Sequence, residues 1–280
     1  MGFKTILVPI EQHDLMNSTL ETVLLLARKF DSYIEGFALR VATPVAYAAG
    51  DAGGVPIPAQ DQEIAENAKR TRSLFKTFMQ EHGVPCGDDT AAPSSNWLED
   101  VPEDDHFVGS HGRLFDVIVL GRPSRAPKGS RMSTLEAALF ESGRPVLIAP
   151  PALRPQMGTN VMIAWNCSTE QTRAIAFAMP ILKRANRVTV LTVEGGAAVP
   201  GPTGQQLCRY LQLSGVPAKP LTVGLKGRLT GEAILAHANA LSCDLLIKGA
   251  YTQSRLRQSI LGGTTRYILS NAALPVLMAH

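Results

Sequence analysis

This chain repeats its own plan. Phe115-Asp-Val-Ile-Val-Leu-Gly121 leads through a loop and a helix-length segment to Pro145-Val-Leu-Ile-Ala-Pro150. The same order returns as Cys243-Asp-Leu-Leu-Ile-Lys-Gly249, a loop, a short helix and Pro275-Val-Leu-Met-Ala-His280. The two openings match as well. Thr5-Ile-Leu-Val-Pro-Ile10 and Asn160-Val-Met-Ile-Ala-Trp165 are apolar, β-rich runs, each followed by a Ser with Glu or Gln three residues on. Those pairs, Ser18 with Glu21 and Ser168 with Gln171, read as capping boxes at helix starts. A duplication of this kind restricts the chain to two copies of one architecture.

The period of the apolar residues says which architecture. Leu20, Val23, Leu24 and Ala27 fall on one helical face in the first copy, and Ile175, Ala178, Met179 and Leu182 do so in the second, where Pro180 predicts a kink. Tyr33–Leu39 and Arg187–Val193 read as the second strands. Strand and helix alternate, and the strands are apolar almost throughout, which requires a parallel sheet covered on both faces. The fold class is therefore α/β, with two homologous open parallel-sheet domains of about five strands each, over 1–150 and 158–280. In the second copy the spacing predicts a helix over Gly204–Leu213, a strand at Lys219–Val223, a helix over Gly231–Ala240 and a strand at Leu245–Lys248. In the first copy a longer helix over Gln62–Glu81 fills the corresponding place. Pro150 to Gly158, with two further prolines between them, reads as the linker. Ala42–Ala59 reads as a long inserted loop, either a lid or a surface insertion.

Composition narrows the function classes. A chain of 280 residues, 45% hydrophobic and 18% charged, can bury more than one core. Its net charge of +3, with the basic residues scattered, gives no ground for nucleic-acid or membrane binding. Cys86, Cys167, Cys208 and Cys243 have no metal-ligand spacing and fit a reduced, cytoplasmic protein. The apolar run at the N-terminus is too short for a signal peptide. The six histidines lack ligand spacing and read as surface residues, and no Ser–His–Asp arrangement can be assigned. Asp104 and Asp105 read as a solvated helix start, and Gly109-Ser-His-Gly112 as part of that helix.

In open α/β sheets, ligands bind beyond the carboxyl ends of the strands, where the strand order reverses. In the second copy, Ala164, Trp165 and Asn166 should reach that edge from the first strand, Val193 from the second, and Gly249 onward from the fourth. Gly262, Gly263, Thr264 and Thr265 can offer N–H groups and hydroxyls to phosphates, and Arg255 can add charge. Asn166 suits a ribose, and Val193 an apolar slot for adenine. The same glycines equally suit close packing of helix on sheet.

The chain resembles the universal stress protein family in its tandem two-domain form. The resemblance is carried by Ile6–Ile10, by Val161-Met-Ile-Ala-Trp-Asn-Cys-Ser168, by Lys248–Thr265 and by Pro275-Val-Leu-Met. It implies an adenine-nucleotide α-hydrolase-like, Rossmann-like fold. It also implies ATP or AMP as ligand, with Mg held by the phosphates, and a signalling or protective role with at most weak ATP hydrolysis. Nucleotide-binding members have Gly, two residues, Gly, nine residues, Gly and then Ser or Thr in the last loop. Here Gly249 and Gly262 keep the spacing, Thr252 stands at the second glycine, and Gly263 stands at the Ser/Thr. Asn166 replaces an aspartate. The first copy, with Glu11 at the aspartate position and Met132 and Ser133 at the glycine positions, is expected to be degenerate. The two copies are expected to pack as an internal pseudo-dimer, with a homodimer of the whole chain left open. The alternative reading is an adaptor that binds no nucleotide and acts through protein contacts.

Overall fold

A computed structural model describes residues 2–11, 13–39, 58–87, 93–102, 104–123, 130–152, 154–196, 198–250 and 263–280, with side chains of 58–64 excepted. The first half contains β1 (Thr5–Ile10), α1 (Met16–Phe30), β2 (Tyr33–Ala38), α2 (Pro58–Glu81), β3 (Ser94–Leu98), α3 (Asp105–Gly112), β4 (Val117–Leu120), α4 (Met132–Glu141) and β5 (Val146–Ile148). The second contains β6 (Asn160–Ala164), α5 (Thr169–Leu182), β7 (Arg187–Glu194), α6 (Gly204–Leu213), β8 (Ala218–Gly224), α7 (Thr230–Ala240), β9 (Leu245–Gly249), α8 (Gly263–Asn271) and β10 (Val276–Ala279).

All ten strands lie in one sheet, ordered β3-β2-β1-β4-β5-β10-β9-β6-β7-β8. Within each half the neighbours are parallel. At the seam β5 and β10 pair antiparallel, with Leu277 opposite Leu147 and Val276 opposite Ile148. Each half therefore has the same order, and the order reverses at corresponding places, between β1 and β4 and between β6 and β9.

Alternation along the strands sends side chains to two apolar layers. Ile6, Val8, Val161, Ile163 and Leu277 pack under α1, α2, α5 and α6. Leu7, Met162, Leu246, Val276 and Met278 pack under α3, α4, α7 and α8. Both layers run across the seam, so each face of the sheet has one core shared by the two halves. Among the described residues, no helix is long and apolar enough to cross a membrane.

Several local expectations change. The Ser18–Glu21 pair does not start α1. The helix begins at Met16 behind Leu15, where the Leu15 N–H donates to His13 Nδ1, and the Ser18 hydroxyl donates instead to the Pro150 carbonyl at 2.7 Å. Ser18 is thus a tertiary tie rather than a cap. Ser168 does cap α5, accepting from the Gln171 N–H at 3.1 Å, but the Gln171 side chain turns toward β9 instead of back to the cap. Pro180 lies inside the last turn of α5, which ends at Leu182. A reciprocal capping box stands at Thr203–Gln206, where only a helix was expected. The long helix α2 starts at Pro58, a favourable first-turn residue, so Pro58 and Ala59 leave the expected insertion. The remainder of Ala42–Ala59 lies outside the described residues. β3, Ser-Ser-Asn-Trp-Leu, was not expected, because it lacks an apolar run.

The shared layers make a prediction. Leu277→Ala should lower stability by about 2–5 kcal/mol within one cooperative transition that reports on both halves. Urea unfolding followed separately by Trp97 and Trp165 fluorescence checks this; the two probes should have coincident midpoints.

Candidate functional site

The crevice between β6 and β9 is built by a tightly held turn on one side. After Ala164, the Trp165 N–H donates to Leu191 O at 2.9 Å, extending the β6–β7 ladder by one residue. Trp165 turns its ring into the layer under α5 and α6, where its indole N–H donates to Pro202 O at 2.8 Å. Ala164 and Val193 lie in the opposite layer, under α7 and α8. Of the residues expected to reach this edge, Trp165 therefore lies on one face of the sheet and Ala164 and Val193 on the other. Asn166 stands at the edge itself: its carbonyl accepts from the Val199 N–H at 3.0 Å, and its Oδ1 accepts from the Ser168 N–H at 3.2 Å. Cys167 adopts a left-handed φ of 66° and directs its thiol to Pro202 O at 3.1 Å. Burial raises the Cys167 pKa, which keeps the sulfur a thiol at neutral pH.

On the other side, the two described glycines have different physical causes. A Cβ on Gly249 would lie 2.5 Å from the Gln171 backbone nitrogen and 2.8 Å from the Glu170 carbonyl carbon. The Gly249 N–H donates to Gln171 Oε1 at 2.6 Å, while the Gln171 amide donates to Ile247 O at 3.3 Å. Gly249 is required so that α5 can press on β9, and its N–H is already used. Gly263 is the reverse. It opens α8, is exposed, and a Cβ there would meet nothing within 4 Å among the described residues. No described neighbour therefore accounts for a glycine at that position.

The two threonines also separate. Thr264 is half-exposed beside Gly263, whereas Thr265 is buried and its hydroxyl accepts from Lys248 Nζ at 2.9 Å. Lys248 was not singled out in the sequence; its one signal is a charge inside an otherwise apolar strand. It is 7% exposed, donates also to Gly249 O at 2.7 Å, and burial lowers its pKa to about 8. Thr252, Arg255 and Gly262 lie outside the described residues.

This donor set fits an anion. The exposed first turn of α8 presents backbone N–H groups at the positive end of the helix, and a buried ammonium stands behind it. Residues 251–262 contain Arg255 and Arg257 and no Asp or Glu.

The matching crevice of the first half is occupied by side chains. Glu11, after β1, faces Arg131, which precedes α4, with Nε 3.9 Å from Oε1. Arg131 also binds Asp105 at 2.7 Å, and the Thr134 hydroxyl donates to the same carboxylate oxygen at 2.6 Å. Asp105 is thereby an internal partner rather than merely part of a solvated helix start, while Asp104 caps α3 by accepting from the His106 N–H. His13, expected at the surface, has a side chain only 4% exposed and lies 3.7 Å from Glu11. Burial lowers its pKa, so it is neutral at pH 7. His111 pairs with Glu35 at 2.7 Å, and His106 with Glu141 at 2.8 Å. Among the described residues, no group of three or more His, Cys, Asp or Glu could hold a metal.

Comparison with known proteins agrees with the fold. Residues 157–280 match the model of the universal stress protein family. A universal stress protein of Synechocystis sp. is 28% identical over 173 residues, which take in 58% of this chain and 57% of that protein. The chain thus spans little more than half the length of that relative. Two solved structures align over 99% of the chain, each at 17% identity. One is a universal stress protein from Archaeoglobus fulgidus, covered over 97% of its length with a TM-score of 0.75. The other is a protein from Pseudomonas aeruginosa, covered over 93% with a TM-score of 0.57. At that identity they show the fold alone. The family likeness is carried by the C-terminal half, residues 157–280.

Two outcomes follow from the site geometry. Gly249→Ala should destabilise the protein by about 1–3 kcal/mol or more, because the new methyl meets backbone; chemical denaturation measures it. Burial, opposed by the Arg131 guanidinium and the Ser130 hydroxyl, raises the Glu11 pKa from 4.5 to about 7. The native state holds that proton more tightly than the unfolded chain, so stability falls as pH rises from about 4.5 to about 7. Glu11→Gln should therefore gain stability relative to the wild type at pH 8 and lose that gain by pH 4, as followed by urea titrations across this range.

Proposed function

We propose that the chain is a stress-response protein that binds an adenine nucleotide, ATP or AMP, in its C-terminal half. Residues 1–150 and 158–280 act as two domains paired as an internal pseudo-dimer. The ligand sits at the β6–β9 reversal, with phosphates at the first turn of α8 near Gly263 and Thr264 and the ribose toward Asn166. The protein acts by ligand-dependent signalling or protection rather than by dedicated catalysis, in the cytoplasm.

The observation that carries this reading is Gly263. It begins a helix at the carboxyl edge of the sheet, and among the described residues nothing occupies the space a Cβ would take. Open space at a helix N-terminus at the strand-order reversal suits the approach of a phosphate to backbone N–H groups. The first half lacks this opening, since Glu11, Arg131 and Asp105 satisfy one another there. When bound, Mg would be held by the phosphates, and the protein's part is to orient and neutralise them.

A second reading, an adaptor without nucleotide, is favoured by the internal use of the Gly249 N–H and the Thr265 hydroxyl. Gly263→Arg separates the two. Its side chain enters the space a phosphate would fill, while no packing contact is lost. Calorimetry at millimolar ATP, ADP and AMP should detect binding by ligand-free wild type and a loss of at least about tenfold in the variant, equivalent to about 1.4 kcal/mol. Absence of binding by the wild type leaves the adaptor reading.

A further inference from the structure

Lys248 is unusual in what surrounds it. Its ammonium is buried, and among the described residues it donates only to two neutral oxygens, Gly249 O and Thr265 Oγ1. No described carboxylate lies within ion-pair distance of it. Thr265 is in the first turn of α8, so the ammonium faces the positive end of that helix, an unfavourable arrangement for a cation. α8 carries no acidic residue, and 251–262 adds only Arg255 and Arg257. The other charged or titratable groups on the packed elements are Glu232 and His237 on α7, Arg266 and Tyr267 on α8, Glu170 and Arg173 on α5, and His280 after β10. None contributes to the shift of the Lys248 pKa, which burial alone causes. A buried charge without a counter-charge is expensive. Here it is hydrogen-bonded to Thr265 in the first turn of α8, two residues after Gly263.

We propose that Lys248 is the counter-charge for a bound phosphate at the first turn of α8, so that binding of the anion and retention of the lysine proton are one coupled event. This rests on the nucleotide reading above and adds its regulation. Lys248 acts as a positioning residue: because an ammonium can only donate, the Thr265 oxygen must accept from it, which leaves the Thr265 hydroxyl hydrogen to be donated elsewhere.

The sign follows from linkage. In the ligand-free protein the lysine loses its proton near pH 8. A phosphate alongside raises that pKa. Binding at pH 8 therefore takes up a fraction of a proton, at most about half, and affinity for the anion falls as pH rises past 8. With Lys248 replaced by Met, of similar length and without charge, binding weakens and the proton uptake disappears.

The test is calorimetry of ATP binding at pH 8 in two buffers of different ionisation enthalpy, on the wild type and Lys248→Met. Proton uptake by the wild type that the variant lacks is the expected result. Equal proton uptake in both proteins, with ATP bound, overturns the role of Lys248 and leaves the nucleotide reading standing. No binding by the wild type overturns both. A direct reading that needs no variant is the NMR pH titration of the Lys248 Cε resonance with and without ATP. Its midpoint should rise on binding, and an unchanged midpoint contradicts the proposal.

Discussion

The pairing of β5 with β10 is the constraint on which the rest of the molecule depends. Each half-sheet ends in a short apolar strand, Val146–Ile148 or Val276–Ala279, with both faces buried. Left unpaired, such an edge exposes backbone donors and acceptors beside apolar side chains and invites aggregation. Antiparallel pairing satisfies both edges at once and merges the core layers on each face. It also has a functional consequence. The strands of the two halves run in opposite directions, so their carboxyl ends, and hence the two crevices, open at opposite edges of the sheet. Each crevice was therefore free to diverge from the other.

They have diverged electrostatically. The first crevice is closed by its own charges: Arg131 reaches both Glu11 and Asp105, and burial holds the Glu11 proton up to near neutral pH. The second carries a buried cation without a carboxylate partner among the described residues, together with an open helix start. One site supplies its own ion pairs, and the other, on the proposed reading, receives an anion.

Much of the fold was legible because duplication, apolar runs and Pro or Gly punctuation act locally. The limits of α6 could be read directly, and β7, β8, α7 and β9 lay within a residue of expectation. What was not legible depended on contacts distant in sequence. Ser18 looked like a cap but is bound to Pro150. β3 is polar and short, and it forms by pairing with β2 along Tyr33–Phe37. At the site, sequence could name glycines but not say why each is there: Gly249 makes room for α5, while Gly263 makes room for no described residue. Alternation along β6 likewise separates Ala164 from Trp165, which a reading by proximity had joined. Lys248 escaped notice because a single charge in an apolar strand acquires meaning only once its neighbours are known.

The central claim, that the anion-receiving crevice is the one at the β6–β9 reversal, is tested most directly by mapping amide resonances of isotopically labelled protein during titration with ATP. The account predicts saturable shifts centred on Asn166, Gly263 and Thr264, with Glu11 and Arg131 unmoved. Shifts centred on Glu11 and Arg131 instead, or no shifts at millimolar nucleotide, would contradict it.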